Sequence, residues 1–298
     1  MAAITRRDLA ALAAGALLAR PVFAEVKSAP LITRAIPRSG ERLPVVGLGT
    51  AEVFDDDDEA TRDAAAQVIR TLIAAEGRLV DTASTYADAE SVLGRVMAAT
   101  GLRDRMFVAT KAEEPDRDEA QRSLRRLRTA KVDLLQLHNV SDPNQSLAKF
   151  REWKAEGLCR YIGITTTYRG SFPAVEAVLA REKPDFVQID YSIDNREAER
   201  RILPLAAEVG AGVLTALPFG RARLFRAVAG KPVPDWASGF AHSWAQFFLK
   251  YLIGDARVTA VIPGTNNAAH MADNLGAQRG LLPDVEQRKR MAAFIDAL

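Results

Sequence analysis

The sequence predicts an α/β fold, a (β/α)8 TIM barrel preceded by a short β-hairpin. Three observations support this prediction. Short β-branched runs alternate with longer amphipathic segments, eight such runs occur, and no Pro/Gly-rich linker separates them. Regular alternation of this kind requires parallel strands joined by right-handed crossovers. A chain of 298 residues has the length for one such barrel.

The elements follow from local patterns along the chain. Leu31–Ile36 and Glu41–Leu43 flank the turn residues Ser39 and Gly40 and are predicted to form the hairpin. The barrel strands are predicted at Val45–Leu48, Leu79–Thr82, Phe107–Thr110, Leu134–His138, Tyr161–Thr165, Phe186–Tyr191, Val213–Ala216 and Val258–Pro263. Helices are predicted at Thr61–Ala75, Glu90–Ala99, Glu119–Arg128, Leu147–Glu156, Phe172–Ala180, Ala198–Val209 and Trp244–Leu252.

A doubly wound sheet is the main competing architecture, and the glycine pattern argues against it. Such a sheet usually has the pattern G-x-G-x-x-G after its first strand. Here Gly47 and Gly49 are followed by Thr50, Ala51 and Glu52, so the third glycine is missing. A closed barrel is therefore favoured, with its chemistry at the carboxyl ends of the strands.

Composition limits the kinds of partner that the protein has. The chain is 48% hydrophobic and its formal net charge is +2, which fits a large core and predicts no nucleic-acid partner. The single cysteine, Cys159, excludes an intramolecular disulfide and a Cys-based zinc site, and we expect it to be buried. No acidic or histidine pair has convincing metal-ligand spacing. The acidic run Asp55–Glu59 is interpreted as a solvated helix N-terminus.

The first 24 residues have the pattern of a twin-arginine signal peptide. Arg6 and Arg7 precede the apolar stretch Ala10–Ala19, and Val22–Ala24 carries small residues where a signal peptidase cleaves. We expect cleavage after Ala24, leaving residues 25–298 as one barrel domain. The predicted partner is the twin-arginine export machinery, the predicted location is the periplasm, and no stable membrane association is expected after cleavage. An N-terminal amphipathic helix that is retained is the alternative.

Four polar side chains at the predicted strand ends can converge in the barrel mouth: Asp81, Tyr86, Lys111 and His138. A phenol has an ordinary pKa of about 10 and releases its proton poorly near neutral pH. A nearby ammonium favours the phenolate, and a carboxylate keeps that ammonium charged. An imidazole beside them orients a carbonyl oxygen or shares its proton. Each residue also has a structural interpretation, such as an ion pair for Asp81 and Lys111.

These residues and their order resemble the aldo/keto reductase family. The resemblance runs from about Ile32 to Gly276 and includes Gly47–Thr50, Asp81–Ala83 followed by Tyr86, Thr110 and Lys111, and Leu137 and His138. It implies that Tyr86 is the general acid, that Lys111 and Asp81 tune it, and that His138 orients the substrate.

The resemblance also implies a nicotinamide cofactor, NADPH with NADH possible. The residues that correspond to its contacts are Thr165, Thr166, Gln188, Gly264, Thr265 and Asn274. Ala216 stands where the family often has an aromatic residue that stacks on the nicotinamide, so Phe219 is considered as its replacement. Gly264 and His270 stand where many NADPH-preferring members have basic residues. Arg221 and Arg223 are candidates to compensate.

The function predicted from the sequence is therefore an exported NAD(P)H-dependent reductase that converts an aldehyde or ketone to an alcohol. The alternative is a periplasmic barrel that binds a nucleotide or another small ligand with little or no turnover. Ala216 and the supply of reduced cofactor outside the cytoplasm favour the alternative, whereas the four filled positions at the strand ends favour the enzyme.

Overall fold

The computed structural model describes residues 29–298 and shows the predicted (β/α)8 barrel. The hairpin strands are β1 (Thr33–Ala35) and β2 (Arg42–Pro44). The barrel strands are β3 (Leu48–Gly49), β4 (Leu79–Asp81), β5 (Phe107–Ala112), β6 (Val132–Leu137), β7 (Cys159–Thr166), β8 (Phe186–Asp190), β9 (Gly212–Ala216) and β10 (Ala260–Val261).

Helices connect these strands on the outside of the barrel. They are α1 (Glu59–Ala74), α2 (Ala89–Thr100), α3 (Arg117–Arg126), α4 (Ala148–Ala155), α5 (Phe172–Glu182), α6 (Ile202–Val209), α7 (Arg223–Ala227), α8 (Trp244–Ile253), α9 (Ala268–Gly276) and α10 (Val285–Asp296). Short 3₁₀ turns occur at Arg103–Arg105, Arg169–Ser171, Glu197–Glu199 and Asp235–Ala237.

The sheet closes on itself between its first and last strands. Strands β3 to β10 are paired in parallel in sequence order, and Val46 forms a parallel bridge with Val261. Gly49 N–H donates to the Pro263 carbonyl at 3.0 Å. A Cβ on Gly49 would lie 3.1 Å from the Ile262 carbonyl oxygen, so glycine permits this close approach.

The hairpin is formed as predicted and contributes to the core inside the barrel. Thr33 pairs with Pro44 and Ala35 with Arg42. The apolar core that its residues enter consists of Ile36, Leu43, Leu79, Phe107, Ala109, Leu134, Tyr161, Phe186, Leu214, Ala216, Ala260 and Ile262. This part of the barrel is therefore filled by side chains, and polar chemistry is confined to the carboxyl ends of the strands.

Three helical regions differ from the prediction, and the first is α7, which was not predicted. The helix predicted over Ala198–Val209 is divided into the turn Glu197–Glu199 and a helix that begins at Ile202. Helix α10 was not predicted, although its N-terminus carries a capping box formed by Asp284 and Gln287.

Two smaller expectations are confirmed. Asp58 caps α1 by accepting a hydrogen bond from Thr61 N–H at 2.7 Å, so the acidic run does begin a helix. Cys159 is buried, and burial raises the pKa of its thiol to about 12. Over residues 29–298, no group of three or more His, Cys, Asp and Glu side chains is arranged to hold a metal ion.

The predicted signal peptide, residues 1–24, lies outside the described residues and stays a prediction. Within the described part of the chain, no helix combines the length and the apolar character needed to cross a bilayer.

Candidate active site

A buried ion pair lies at the centre of the polar end of the barrel. Lys111 Nζ lies 2.7 Å from Asp81 Oδ2 and donates to the Thr82 carbonyl at 2.8 Å. The side chains of Lys111 and Asp81 are 1% and 3% exposed. Burial opposes the charged form of Lys111, but interactions with Asp81 and Tyr86 outweigh it and raise the pKa of the ammonium. Lys111 is therefore charged throughout the physiological pH range.

Tyr86 and His138 lie beside this ion pair. Tyr86 is in the turn between β4 and α2, where its N–H donates to the Ala83 carbonyl at 3.2 Å. Lys111 Nζ is 4.7 Å from the centre of the Tyr86 ring. The rings of Tyr86 and His138 are in edge contact, with their centres 5.8 Å apart. The four side chains singled out in the sequence therefore lie together.

Two glutamines hold Asp81 from the opposite side of the barrel. Gln188 Nε2 donates to Asp81 Oδ2 at 3.2 Å, and Gln136 Nε2 donates to Gln188 Oε1 at 2.7 Å. On β7, Gly163 is in register with Gln136, and a Cβ there would lie only 2.9 Å from Gln136 Cγ. Glycine thus makes room for a polar layer that links β4, β6 and β8.

An acidic residue contacts the imidazole. Glu113 Oε1 forms a short contact with His138 Nδ1, and Glu113 is also within hydrogen-bond distance of Asn139 and Thr85. Burial and the Lys111 ammonium lower the pKa of His138, and the carboxylates of Glu113 and Asp81 oppose this only in part. The imidazole is therefore neutral near pH 7.

An open cavity of about 560 Å³ lies next to the carboxyl ends of β7, β8 and β9. Its lining consists of Thr167, Tyr168, Arg169, Gly170, Asp190, Glu197, Leu217, Gly220, Arg221 and Arg223. Arg221 pairs with Glu52 at 2.6 Å, and Arg223 pairs with Asp194 at 2.7 Å. Burial raises the pKa of Asp190 to about 6.

The residues predicted to lie near the nicotinamide are in two parts of the protein, some at the strand ends and one in the outer core. Thr165 and Thr166 are buried at the end of β7, and Thr165 is in register with Gln188. Phe219 does not face the barrel interior, because its ring packs against Phe225 and Phe248 in the outer core.

No aromatic residue stands at position 216 at the end of β9. Ala216 is in register with Asp190, and the following residue, Leu217, packs on the core inside the barrel. Leu217 has a φ of 53°, a left-handed conformation that is uncommon for leucine.

Three of the residues predicted to bind the cofactor lie in or just before α9: Gly264 and Thr265 precede the helix, and Asn274 is in its last turn. Gly264 is exposed, whereas Thr265 and Asn274 are buried. Asn267 caps the helix by accepting from the N–H groups of Ala269 and His270, at 2.8 and 3.1 Å. These two N–H groups are therefore already engaged and are not free to bind a phosphate at this helix N-terminus.

Comparison with known proteins places this geometry in a family. The model of the aldo/keto reductase family matches residues 45–294. The chain belongs to the aldo/keto reductase family.

Curated relatives agree with this membership. An aldo-keto reductase of Mycolicibacterium smegmatis is 35% identical over 41% of this chain and 44% of its own length, so this chain matches less than half of that relative. Methylglyoxal reductase YeaE of Escherichia coli is 28% identical over 78% of this chain and 84% of that protein.

Solved structures show the same fold. An aldo-keto reductase from Klebsiella pneumoniae, crystallised with NADPH, is similar with a TM-score of 0.74 and 24% identity, covering 89% of this chain and 96% of that one. A Bombyx mori aldo-keto reductase in complex with NADP is similar with a TM-score of 0.67 and 24% identity, covering 89% and 92% of the two chains.

Sequence reasoning gave no supporting role in this site to Glu113 or Gln136. A signal for both was available, because each lies two residues from a predicted site residue, Lys111 or His138. Side chains two residues apart on a strand share a face. A polar residue with this spacing therefore enters the same side of the barrel.

Proposed function

We propose that this aldo/keto reductase is an NADPH-dependent enzyme that reduces an aldehyde or ketone to an alcohol, with Tyr86 as general acid. The observation that carries the proposal is the buried, charged Lys111 held by Asp81 beside the Tyr86 ring. A buried charge is costly unless it is paired, and this ammonium is paired with Asp81 and lies 4.7 Å from the centre of the Tyr86 ring.

In the proposed reaction, the reduced nicotinamide supplies hydride to the carbonyl carbon when it is bound. Tyr86 Oη donates its proton to the carbonyl oxygen, which completes the alcohol. The Lys111 ammonium stabilises the phenolate that this transfer leaves behind. Asp81 keeps Lys111 charged and in place, and His138 orients the substrate from the edge of the Tyr86 ring.

The residues of the cavity fit a dinucleotide. Arg169, Arg221 and Arg223 supply positive charge to an open groove at the strand ends, which suits a pyrophosphate. Gln188 lies beside Asp81, to which its amide nitrogen donates. We assign Thr165, Thr166, Gln188, Gly264, Thr265 and Asn274 to cofactor binding, with Phe219 supporting the loop after β9 from the outer core.

NADPH is the expected nucleotide, with NADH possible. Two structural neighbours hold NADPH or NADP, which supports the phosphorylated form. The relative that reduces methylglyoxal supports a small carbonyl compound as substrate.

A binding protein with little turnover is the second candidate, and Ala216 favours it because an aromatic contact to the nicotinamide is absent there. One experiment separates the two functions. NADPH and NADH are titrated by fluorescence into the mature protein, and loss of nucleotide absorbance is then followed with aldehydes, ketones and quinones. Turnover of any carbonyl supports the enzyme. Binding without turnover supports the binding protein, and failure to bind either nucleotide contradicts both.

We also propose export to the periplasm by the twin-arginine route. The paired arginines, the apolar stretch and the small residues before Ala24 support this proposal, and the family match begins at residue 45, after the predicted cleavage site. Cell fractionation and N-terminal sequencing test this. The expected result is a periplasmic protein beginning at Glu25, with export lost when Arg6 and Arg7 are both changed to Lys.

A further inference from the structure

Two segments of the protein, the loop after β4 and the end of β6, hold the carboxylate of Glu113. Its Oε1 contacts His138 Nδ1 and accepts from Thr85 Oγ1 at 3.2 Å, and its Oε2 accepts from Asn139 Nδ2 at 3.2 Å. Asn139 has a φ of 49°, a left-handed conformation that asparagine adopts more readily than most residues. A carboxylate held by these donors has a fixed position at the barrel mouth.

This position determines which nitrogen of His138 carries the proton. An ionised carboxylate only accepts hydrogen bonds, so Nδ1 must be the donor in its contact with Glu113. The charged and titratable groups that act on the imidazole are Lys111, Glu113 and Asp81, with the Tyr86 ring at its edge. Their net effect with burial is to lower the pKa of His138, so the ring carries a single proton near neutral pH.

The other nitrogen, Nε2, is then an acceptor that substrate can reach. Among residues 29–298, no protein group forms a hydrogen bond with His138 Nε2, and this atom is not one of the fully buried polar atoms that lack a partner. The imidazole retains 10% of its side-chain surface exposed. A carbonyl oxygen offers only lone pairs, so a neutral Nε2 without a proton does not bind it. Tyr86 is left as the donor to the carbonyl oxygen.

We propose that Glu113 is a positioning residue that presents the Nε2 lone pair of His138 to the substrate, which makes the site selective for α-hydroxy aldehydes and α-hydroxy ketones. This inference rests on the reductase function proposed above. The hydroxyl on the carbon next to the carbonyl donates to Nε2, while Tyr86 donates to the carbonyl oxygen. The edge contact of the two rings lets neighbouring atoms of one small substrate reach both groups.

The same carboxylate disfavours a different class of substrate. The Glu113 side chain is 37% exposed, so its negative charge acts on the barrel mouth. An α-keto acid would bring a second carboxylate to this position, and like charges repel. Among substituents next to the carbonyl, the site therefore prefers a neutral hydrogen-bond donor.

The tautomer is measured first, by nitrogen NMR of protein labelled at histidine. The chain has three histidines, so the His138 signals are assigned with a His138→Asn variant. The expected wild-type result at pH 7.5 is a protonated Nδ1 and an unprotonated Nε2. In Glu113→Leu, the proton is expected to redistribute toward Nε2. Glu113→Gln keeps an acceptor oxygen and is expected to keep the wild-type tautomer.

The His138 pKa gives a second readout in the same spectra. The charge of Glu113 raises this pKa, so its removal in Glu113→Gln and Glu113→Leu is expected to lower the pKa further. Glu114→Gln is the matched control. Glu114 is the exposed neighbour of Glu113, and its side chain does not contact His138. It is expected to change neither the tautomer nor the pKa.

Substrate selectivity is measured with glycolaldehyde and propionaldehyde, which differ by a hydroxyl in place of a methyl group. Because the two aldehydes differ in intrinsic reactivity, the readout is the change in the ratio of their kcat/KM values between variants. Loss of the positioned acceptor in Glu113→Leu is expected to lower the preference for glycolaldehyde by about tenfold. Glu113→Gln and Glu114→Gln are expected to stay within about threefold of wild type.

Each result bears on a separate part of the account. A wild-type Nε2–H tautomer, or a selectivity ratio that Glu113→Leu leaves unchanged, overturns the role of Glu113. Absence of turnover by wild type on both aldehydes, with turnover of another carbonyl compound, overturns the substrate class and leaves the reductase function standing. Absence of turnover on every carbonyl compound of the panel contradicts the reductase function itself. The tautomer is decided by the spectra alone, without cofactor or substrate.

Discussion

The two sides of the barrel mouth are built differently. At the ends of β4 to β6, Lys111 and Asp81 are almost fully buried and their partners are set at hydrogen-bond distance. At the ends of β7 to β9, the mouth is an open cavity whose charged residues pair with surface acids such as Glu52. We call the first region the proton-transfer side and the second the cofactor side.

The difference indicates which half of the reaction is preorganised. Fixed dipoles and charges aid catalysis because they need no rearrangement as the reaction proceeds. The proton-transfer side meets this condition. On the cofactor side, Arg221 and Arg223 are paired with acidic residues, so the phosphate contact that we propose requires them to exchange these partners. This loop also contains Leu217, Arg221 and Ala222 in left-handed conformations, which cost about 1 kcal/mol each.

The largest expected effect comes from breaking the buried pair on the proton-transfer side. Lys111→Met leaves the Asp81 carboxylate buried without its partner, so we expect about 3–5 kcal/mol lower stability. Carbonyl reduction should fall by about a thousandfold because Tyr86 loses the ammonium beside it. Urea unfolding and steady-state kinetics measure the two effects.

Lys149→Met is the matched control, because Lys149 forms only an exposed pair with Glu152. Its stability should change by less than about 1 kcal/mol. Equal stability losses in the two variants would contradict the assignment of Lys111 as the centre of the site.

A smaller effect is expected at the glycine that lies between the two sides. Gly163→Ala places a Cβ 2.9 Å from Gln136 Cγ and should disturb the glutamine layer that holds Asp81. We expect about 1–3 kcal/mol lower stability and weaker carbonyl reduction. Gly239→Ala is the control, because a Cβ at Gly239 meets nothing within 4 Å. Thermal unfolding compares the stabilities of the two variants. If Gly163→Ala is as stable as wild type, the glutamine layer does not hold Asp81 in the way described.

On the cofactor side, an added aromatic residue should make NADPH bind more tightly. Ala216→Phe restores a ring at the position where the family often stacks the nicotinamide. An aromatic contact contributes about 0.5–1.5 kcal/mol, so NADPH should bind about fivefold more tightly. Fluorescence titration measures the Kd. Unchanged or weaker binding, with the fold intact by circular dichroism, would place the nicotinamide elsewhere.

The smallest predicted effect is a pH dependence of nucleotide affinity. The pKa of Asp190 is raised to about 6, so its carboxyl group gains negative charge as pH rises through that value. That charge repels the pyrophosphate, and the Kd should rise by about threefold between pH 5 and pH 8.

NADH is the appropriate ligand for this titration, since a phosphate monoester such as that of NADPH itself titrates near pH 6. Asp190→Asn should remove the dependence. A dependence that persists in this variant would assign it to another group.

The stability contribution of Asp190 has the opposite sign from that of a paired carboxylate. Because its folded-state pKa is raised, the stabilising contribution is fully present below the ordinary carboxyl pKa and is lost as pH rises through about 6. Asp190→Asn should therefore gain stability relative to wild type at pH 8 and not at pH 4.

The sequence was sufficient for the barrel and for the proton-transfer side. Alternating runs located all eight strands, and Asp81, Tyr86, Lys111 and His138 meet as predicted because parallel strands share one carboxyl edge. Local patterns do not show which side chain contacts which across the barrel. The link from Glu113 to His138 and the glutamine layer behind Asp81 depend on register and on Gly163, and both appear only in the folded structure.

The directions of side chains in the loops after the strands were also hard to predict, because local sequence patterns do not show which side chains are in contact. Phe219 is only three residues after Ala216 in sequence. However, the chain makes a left-handed turn at Leu217, and the Phe219 side chain packs in the outer core. Helix α10 has strong capping residues, but only Met291 and Ile295 are buried on it, so its apolar periodicity is weak.

The most direct test of the account is Tyr86→Phe, which removes only the phenolic hydroxyl. The account predicts that kcat falls by about a thousandfold while the Kd for NADPH stays within about threefold of wild type. A large loss of nucleotide affinity with the same loss of activity would make Tyr86 a binding residue. Activity that survives the substitution would contradict its role as proton donor.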